Sequence, residues 1–338
     1  MSSGQSGMLD RSARTGDSTL DAIGSTPLVE LGRLTRDLSG RLLAKLEYLN
    51  PGHSKKDRIA RQIIEDAEDA YAAGAEGALR PGQPVVEMTS GNTGTGLAIV
   101  CAVKGYPFVA VMSKGNSHER ARMMAALGAE VVVVEQLPES KPGQVSGGDL
   151  ELVDARTREI VAERGAFHAD QFSLAGNFRA HYLHTGPEIL AQTRGELAAF
   201  CDFAGTGGTI AGCAAAFKET DPSIRCYAVE PAGARALAGA EVVDPCHRIQ
   251  GGGYSRAELP LLRRDQIDGF LSVCDEEARL CARELGRCEG IFAGYSSGAN
   301  VAAALELLGG PHRGETVVTL ICDSGLKYLS TDLWRGLD

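Results

Sequence analysis

The chain carries only eight lysines against 26 arginines, and two of the eight stand together in Asn50-Pro51-Gly52-His53-Ser54-Lys55-Lys56-Asp57-Arg58. Pro51 and Gly52 set a turn, and Ser54 can cap a helix that follows. The apolar stripe of that helix is Ile59, Ala60, Ile63, Ile64 and Ala67. Lys56 precedes the first four of these by three, four, seven and eight residues, so helical spacing turns it to the buried side, whereas Lys55 does not align. A lysine so placed either snorkels at a helix start or serves as a Schiff-base amine or proton carrier; this segment alone leaves both readings open.

Three further loops join apolar runs to helix-period segments. Thr89-Ser90-Gly91-Asn92-Thr93 offers hydroxyls, an amide and free backbone N–H groups at a helix start, which suits a carboxylate or another anion. A helix cap explains one such residue, not four in a row. Gly205-Thr206-Gly207-Gly208-Thr209 lets backbone amides close on a phosphate at a helix N-terminus. A dinucleotide loop would need G-x-G-x-x-G; position 210 is Ile and the next glycine is Gly212, so one phosphate fits better than a pyrophosphate, although Glu230 stands where a ribose-binding acid would. Gly294-Tyr295-Ser296-Ser297-Gly298 matches G-x-S-x-G but follows helix-like sequence, and no histidine can be placed beside Ser296, so a serine hydrolase is a weak reading.

The elements that position these loops alternate. Strands are expected at 85–88, 108–112, 131–134, 200–203, 226–229 and 316–321. Helices are expected at 58–71, 93–104, 119–127, 150–164, 182–193, 210–218, 275–288 and 298–308. This predicts an α/β fold of two doubly wound, mostly parallel sheets with helices on both faces and a cleft between two domains. Residues 138–148 read as a surface insertion and 1–17 as a disordered lead-in with no secretory h-region. With 42 glycines in 338 residues, tight loops around a ligand are expected. The net charge of −10 argues against nucleic acid or anionic lipid as partner, and no apolar run approaches the ~18 residues of a membrane span. Nine cysteines without a CxxC pair argue against a disulfide framework or a metal site in a cytoplasmic protein; Cys274, Cys281 and Cys288, seven apart, read as small buried hydrophobes.

Taken in order, the lysine segment, Thr-Ser-Gly-Asn-Thr, Gly-Thr-Gly-Gly-Thr and Ser-Ser-Gly, with the opening Asp21-Ala22-Ile23-Gly24-Ser25-Thr26-Pro27-Leu28, resemble the fold-type II pyridoxal-phosphate enzymes of the cysteine synthase (O-acetylserine sulfhydrylase) and cystathionine β-synthase family. The resemblance runs from about Leu20 to about Thr331. It implies that Lys56 forms the Schiff base with pyridoxal 5'-phosphate and carries the α-proton, and that Asn92 hydrogen-bonds the cofactor's 3'-oxygen. Gly205, Thr206, Gly207, Gly208 and Thr209 would bind its phosphate, and Ser296 would face its ring nitrogen. Thr89, Ser90, Thr93 and Gln171 would hold a substrate α-carboxylate, with Gly253 in the glycine loop bordering the acceptor pocket.

The implied protein is a homodimer acting on a small amino-acid substrate, with 47–175 as a smaller mobile domain and 18–46 plus 176–338 as the larger one. The implied reaction is β-replacement on O-acetyl- or O-phosphoserine through an aminoacrylate, with sulfide as nucleophile to give L-cysteine. Met88, Asp202, Phe203, Tyr254 and the 138–148 segment depart from the family pattern and leave the nucleophile open. Alternatives are a cystathionine β-synthase-like or diaminopropionate-forming synthase, a serine/threonine dehydratase and, from another class, a dinucleotide-dependent oxidoreductase.

Overall fold

The computed structural model describes residues 15–140, 143 and 145–336. The expected lead-in therefore lies mostly outside the described residues, as do positions 141, 142 and 144 of the 138–148 segment. In chain order the elements are β1 (Leu28–Glu30), β2 (Arg41–Leu46), α1 (Lys56–Ala72), β3 (Val85–Met88), α2 (Asn92–Lys104), β4 (Phe108–Ser113), α3 (His118–Ala126), β5 (Glu130–Val134), α4 (Gly147–Arg164) and β6 (Phe167–His168). After these come α5 (Gly176–Ala180), a π-helical turn His181–Thr185, α6 (Gly186–Thr193), β7 (Ala199–Phe203), α7 (Gly208–Thr220), β8 (Arg225–Pro231), β9 (Gly269–Val273), α8 (Asp275–Glu289), α9 (Tyr295–Gly309) and β10 (Thr316–Ile321).

The strands form two sheets, in the orders β1-β2-β10-β7-β8-β9 and β5-β4-β3-β6. Every pairing is parallel except that of β1 with β2. Parallel strands need crossover helices, which cover both faces, and so β4, β7 and β10 read as almost unbroken apolar runs. The four-stranded sheet buries Val85, Phe108 and Ala110 against Ile63, Ile64 and Leu97 of α1 and α2. The six-stranded sheet buries Ala199, Val317 and Ile321 against Ala299, Ala303 and Leu307 of α9.

The α/β architecture with two largely parallel sheets is the one the sequence predicts, with four strands added. β2 escapes a pattern search because Lys45 lies in it, fully buried, its ammonium 2.7 Å from Glu188. β9 is a half-buried edge strand, β1 spans three residues and β6 two. The helix expected from residue 182 instead follows directly on α5 at Gly176, through the π-helical turn. Close packing there is set by glycine: a Cβ on Gly212 would lie 2.4 Å from the Phe178 carbonyl oxygen. α4 begins at Gly147 rather than 150, because Ser146 and Asp149 cap it reciprocally. Cys274 is not a buried hydrophobe but the N-cap of α8, and Cys281 and Cys288 are half-buried.

Ligands of open parallel sheets bind where loops leave the carboxyl ends of the strands. Here those loops are 89–91 after β3, 204–207 after β7 and 322–324 after β10. An isolated antiparallel bridge from Ser54 to Asp323 brings the lysine segment to the last of them.

Candidate active site

α1 starts at Lys56, immediately after the Ser54 bridge, and Lys56 is 8% exposed. Among the described residues its Nζ makes no hydrogen bond or ion pair. Burial, and next the charge of Lys55, bring its pKa down to about 8. Lys55 is buried as well, contrary to the helical-spacing argument: it is the N-cap residue, where that spacing does not yet apply, and its Nζ donates to both oxygens of Asp202 at 2.7 and 2.6 Å.

β3 delivers the Thr89–Thr93 loop. Thr89 Oγ1 accepts from the amides of Gly91 and Gly94, both at 2.9 Å, so its oxygen shapes the loop while its O–H hydrogen is left for a ligand in the cavity that it lines. Gly91 has φ +126°, and a Cβ there would lie 2.5 Å from Arg120 Cδ; only glycine fits. Arg120 is fully buried beneath the loop and donates to the Ser90 carbonyl at 2.8 Å. Thr93 Oγ1 donates to Gln171 Oε1 at 2.6 Å, and Gln171 Nε2 donates to Glu87 Oε1 at 2.9 Å and to the Met88 carbonyl at 3.1 Å. The Gln171 amide is thereby used on both sides, and what it supplies is the position of Thr93. Burial, and then the neighbouring Asp170, push the Glu87 carboxyl well above its ordinary range.

Asn92 opens α2. Its Nδ2 donates to Asp323 Oδ2 at 2.8 Å and its Oδ1 accepts from Lys327 Nζ at 2.8 Å. One of the two amide hydrogens is left for a ligand.

β7 runs into Gly205–Thr209 and α7. A Cβ on Gly205 would meet the Gly251 carbonyl oxygen at 2.6 Å, one on Gly208 would meet Asn177 Oδ1 at 2.2 Å, and Gly207 has φ +85°. The loop's amides thus stand bare at the head of a 13-residue helix. Asn177 Nδ2 donates to Thr206 Oγ1 and to the Gln171 carbonyl, both at 2.7 Å, which ties this loop to the one around Gln171. Thr209 Oγ1 lies 3.2 Å from Nε2 of His181, a buried imidazole held neutral by burial and by the nearby Lys56 charge.

Ser296 lies in the first turn of α9, 8% exposed, while its neighbour Ser297 accepts the Cys322 amide at 2.9 Å. Gly253 donates its amide to the Ala204 carbonyl at 3.0 Å beside the phosphate-type loop. Thr89, Ser90, Gln171, Gly253 and Tyr254 line one cavity of about 320 Å³.

Hydrogen bonds link the candidate loops to one another: Asn92 and the lysine segment both meet Asp323, and Asn177 joins Thr206 to the Gln171 loop that holds Thr93. The supporting residues Arg120, Asn177, His181, Asp323 and Lys327 carry no local sequence signal, because their partners are distant in the chain; only Asp202 stands out beforehand, as a charge within an apolar strand.

The dinucleotide alternative loses its parts: Glu230 accepts the amides of Leu237 and Ala238 at 2.7 and 2.8 Å, and Gly212 is taken up in helix packing. A group with an aldehyde and one phosphate fits what remains. The unpartnered buried amine of Lys56 and the glycine cradle at α7 suit those two functions of pyridoxal phosphate.

A profile of the family described as pyridoxal-phosphate dependent enzymes matches residues 19–323. The chain is 38% identical over 320 residues to a cysteine synthase of Staphylococcus aureus, covering 94% of this chain and 97% of that one. Among solved structures, O-ureido-L-serine synthase superposes with a TM-score of 0.85 at 36% identity, over 96% of this chain and 97% of that one. An O-acetylserine sulfhydrylase of Entamoeba histolytica does so with a TM-score of 0.85 at 33% identity, over 96% and 93%. With its unpartnered lysine, its glycine cradle and this extent of similarity, the chain belongs to the pyridoxal-phosphate dependent enzymes.

Proposed function

We propose that the protein catalyses β-replacement on an activated serine, with sulfide as nucleophile and L-cysteine as product. The observation that carries the reading is the free, buried Lys56 amine in a crevice that also presents the Ser90–Thr93 anion loop and, at Ser296, a hydroxyl where an acid could have stood. Pyridoxal phosphate, when bound, supplies the electron sink for loss of the α-proton and of the β-substituent.

The chain's own residues do the rest. Lys56 Nζ would anchor the cofactor and, when free, its amine would take the α-proton. Ser90, the Thr89 hydroxyl and the amides at the start of α2 hold the substrate carboxylate, with Thr93 and Gln171, bonded to each other, fixing the loop from behind. Gly205–Thr209 cradles the phosphate, and Asn92 offers its remaining amide hydrogen to the 3'-oxygen. A hydroxyl at Ser296 cannot hold a proton on the ring nitrogen as a carboxylate would, which favours prompt loss of the β-substituent. Residues 47–175 form the unit that closes over bound substrate and keeps water out, since the Ser90 loop stands on the four-stranded sheet and the phosphate cradle on the six-stranded one.

The same reading takes the protein as a homodimer in a reducing cytoplasm, which nine free cysteines suit; light scattering that gives twice the chain mass checks the assembly. None of the described helices is long and apolar enough to cross a membrane.

Titration of the purified protein with O-acetylserine, O-phosphoserine and serine, followed by absorption before any nucleophile is added, tests the function. One donor is expected to move the cofactor band to longer wavelength, and sulfide to restore it while cysteine forms. The Lys56→Ala variant is expected to lose the lysine-linked band; a wild-type protein without such a band would sink the reading.

A further inference from the structure

Lys55 and Lys56 are consecutive, 7% and 8% exposed, and oppositely treated. Among the described residues Lys56 Nζ has no partner, whereas the Lys55 ammonium is clamped by both oxygens of Asp202, which is 1% exposed. Asn300 Nδ2, one helical turn beyond Ser296, donates to Asp202 Oδ1 at 3.0 Å, and the Asn300 Oδ1 accepts the Phe203 amide at 2.6 Å. The Lys55 amide donates to the Cys322 carbonyl at 2.9 Å. The ion pair therefore sits where the lysine helix, the strand feeding the phosphate cradle and the Ser296 helix meet. Replacing a buried ion pair by an apolar pair of the same volume often costs no stability, so stability is weak grounds for its presence.

We propose that the Lys55–Asp202 pair is a positioning element for Lys56: it removes Lys55 as a competing amine and fixes a positive charge on the residue next to Lys56, which favours the neutral, nucleophilic form of the Lys56 amine. The groups that face Lys56 are Lys55 on its own segment, Asp202 from β7, Cys322 and Asp323 after β10, and His181 from the π-helical turn. Burial pushes the Cys322 thiol up to about 12 and holds His181 neutral, which leaves Lys55 against the carboxylates of Asp202 and Asp323. Burial alone would discharge Lys55, but the Asp202 carboxylate outweighs it and holds the ammonium charged. Its charge is the largest influence on Lys56 after burial itself, and Asp202 opposes it.

This inference rests on Lys56 being the amine that takes the cofactor. The test measures, for the full chain freed of cofactor, the rate of pyridoxal phosphate uptake against pH by absorption, so the readout is spectroscopic rather than catalytic. Lys55→Met is expected to raise the midpoint by about one pH unit, Asp202→Asn to raise it by less, because the buried Lys55 discharges without its carboxylate and the opposing charge goes with it, and Lys55→Arg to leave it near wild type. Should either single variant fail to fold, Lys55→Met/Asp202→Leu removes both charges together and is expected to move the midpoint up by less than Lys55→Met would, since the larger influence is lost along with the opposing one. An unchanged midpoint in Lys55→Met and in the double variant, or a lower midpoint in Lys55→Met or in Asp202→Asn, overturns the proposal. Retention of the lysine-linked band in Lys56→Ala would instead overturn the reading beneath it.

Discussion

Lys327 Nζ donates to Asn92 Oδ1 at 2.8 Å across 235 residues of chain, and the same ammonium donates to the Gly52 carbonyl at 2.7 Å. Lys327 is completely buried. A cation can only face the oxygen of an amide, so this contact fixes which way the Asn92 side chain points and commits its nitrogen to Asp323 and the crevice.

Removing that cation frees the amide to turn. Lys327→Met is expected to weaken cofactor affinity by about tenfold, the loss of one oriented polar contact, with the cofactor still linked to Lys56. Equilibrium dialysis against pyridoxal phosphate measures it; an unchanged affinity would show that Asp323 alone orients Asn92.

The pH behaviour follows from Lys56. Only the neutral amine attacks the cofactor's aldehyde, so uptake by the cofactor-free chain is expected to accelerate with pH around a midpoint of about 8 rather than the ordinary 10.5. Stability has the same sign. Between about 8 and 10.5 the unfolded chain binds more protons than the folded one, so this group's contribution is complete above 10.5 and is lost as pH falls through 8. Lys327, also brought down to about 8 by burial, adds to it. Urea midpoints measured across that window in cofactor-free protein should rise with pH, and less so in Lys56→Met.

Ser296→Ala is expected to keep the cofactor and lose part of the rate, since on the proposed reading the hydroxyl would give the ring nitrogen one hydrogen bond without anchoring the group. Steady-state kinetics beside the absorption spectrum separate the two effects. Loss of the cofactor altogether would make Ser296 a structural residue.

Helix packing holds Ser296 in place. A Cβ on Gly298 would lie 1.9 Å from the Ala278 carbonyl oxygen, a backbone atom of α8 that cannot swing aside. Gly298→Ala is therefore expected to force α8 and α9 apart and to destabilise the fold by roughly 1–3 kcal/mol, read as a lower urea midpoint. Activity should fall further than in Ser296→Ala if the displaced helix carries the serine with it.

Much of this site was legible in the chain itself. Strand β3 begins and ends where the pattern of Val85–Met88 places it, and the four loops fall at strand or helix ends, because turn chemistry and hydrophobic period are local properties. Lys56 could be singled out since its spacing to Ile59 and Ile63 is a local count. Lys55 could not: it stands before the first helical turn, and its partner Asp202 is 147 residues away.

The sequence by itself determined the fold class, the order of the loops and the residue types each offers, as short-range sterics, capping and periodicity act within a few residues. Tertiary structure decided which groups are free to react. Thr93 and Gln171 are bonded to each other, Asp323 and Lys327 orient Asn92, and Asp202 engages one of two adjacent lysines and leaves the other bare. Those outcomes depend on burial and on charges brought together from distant segments, and both exist only once the two sheets have packed.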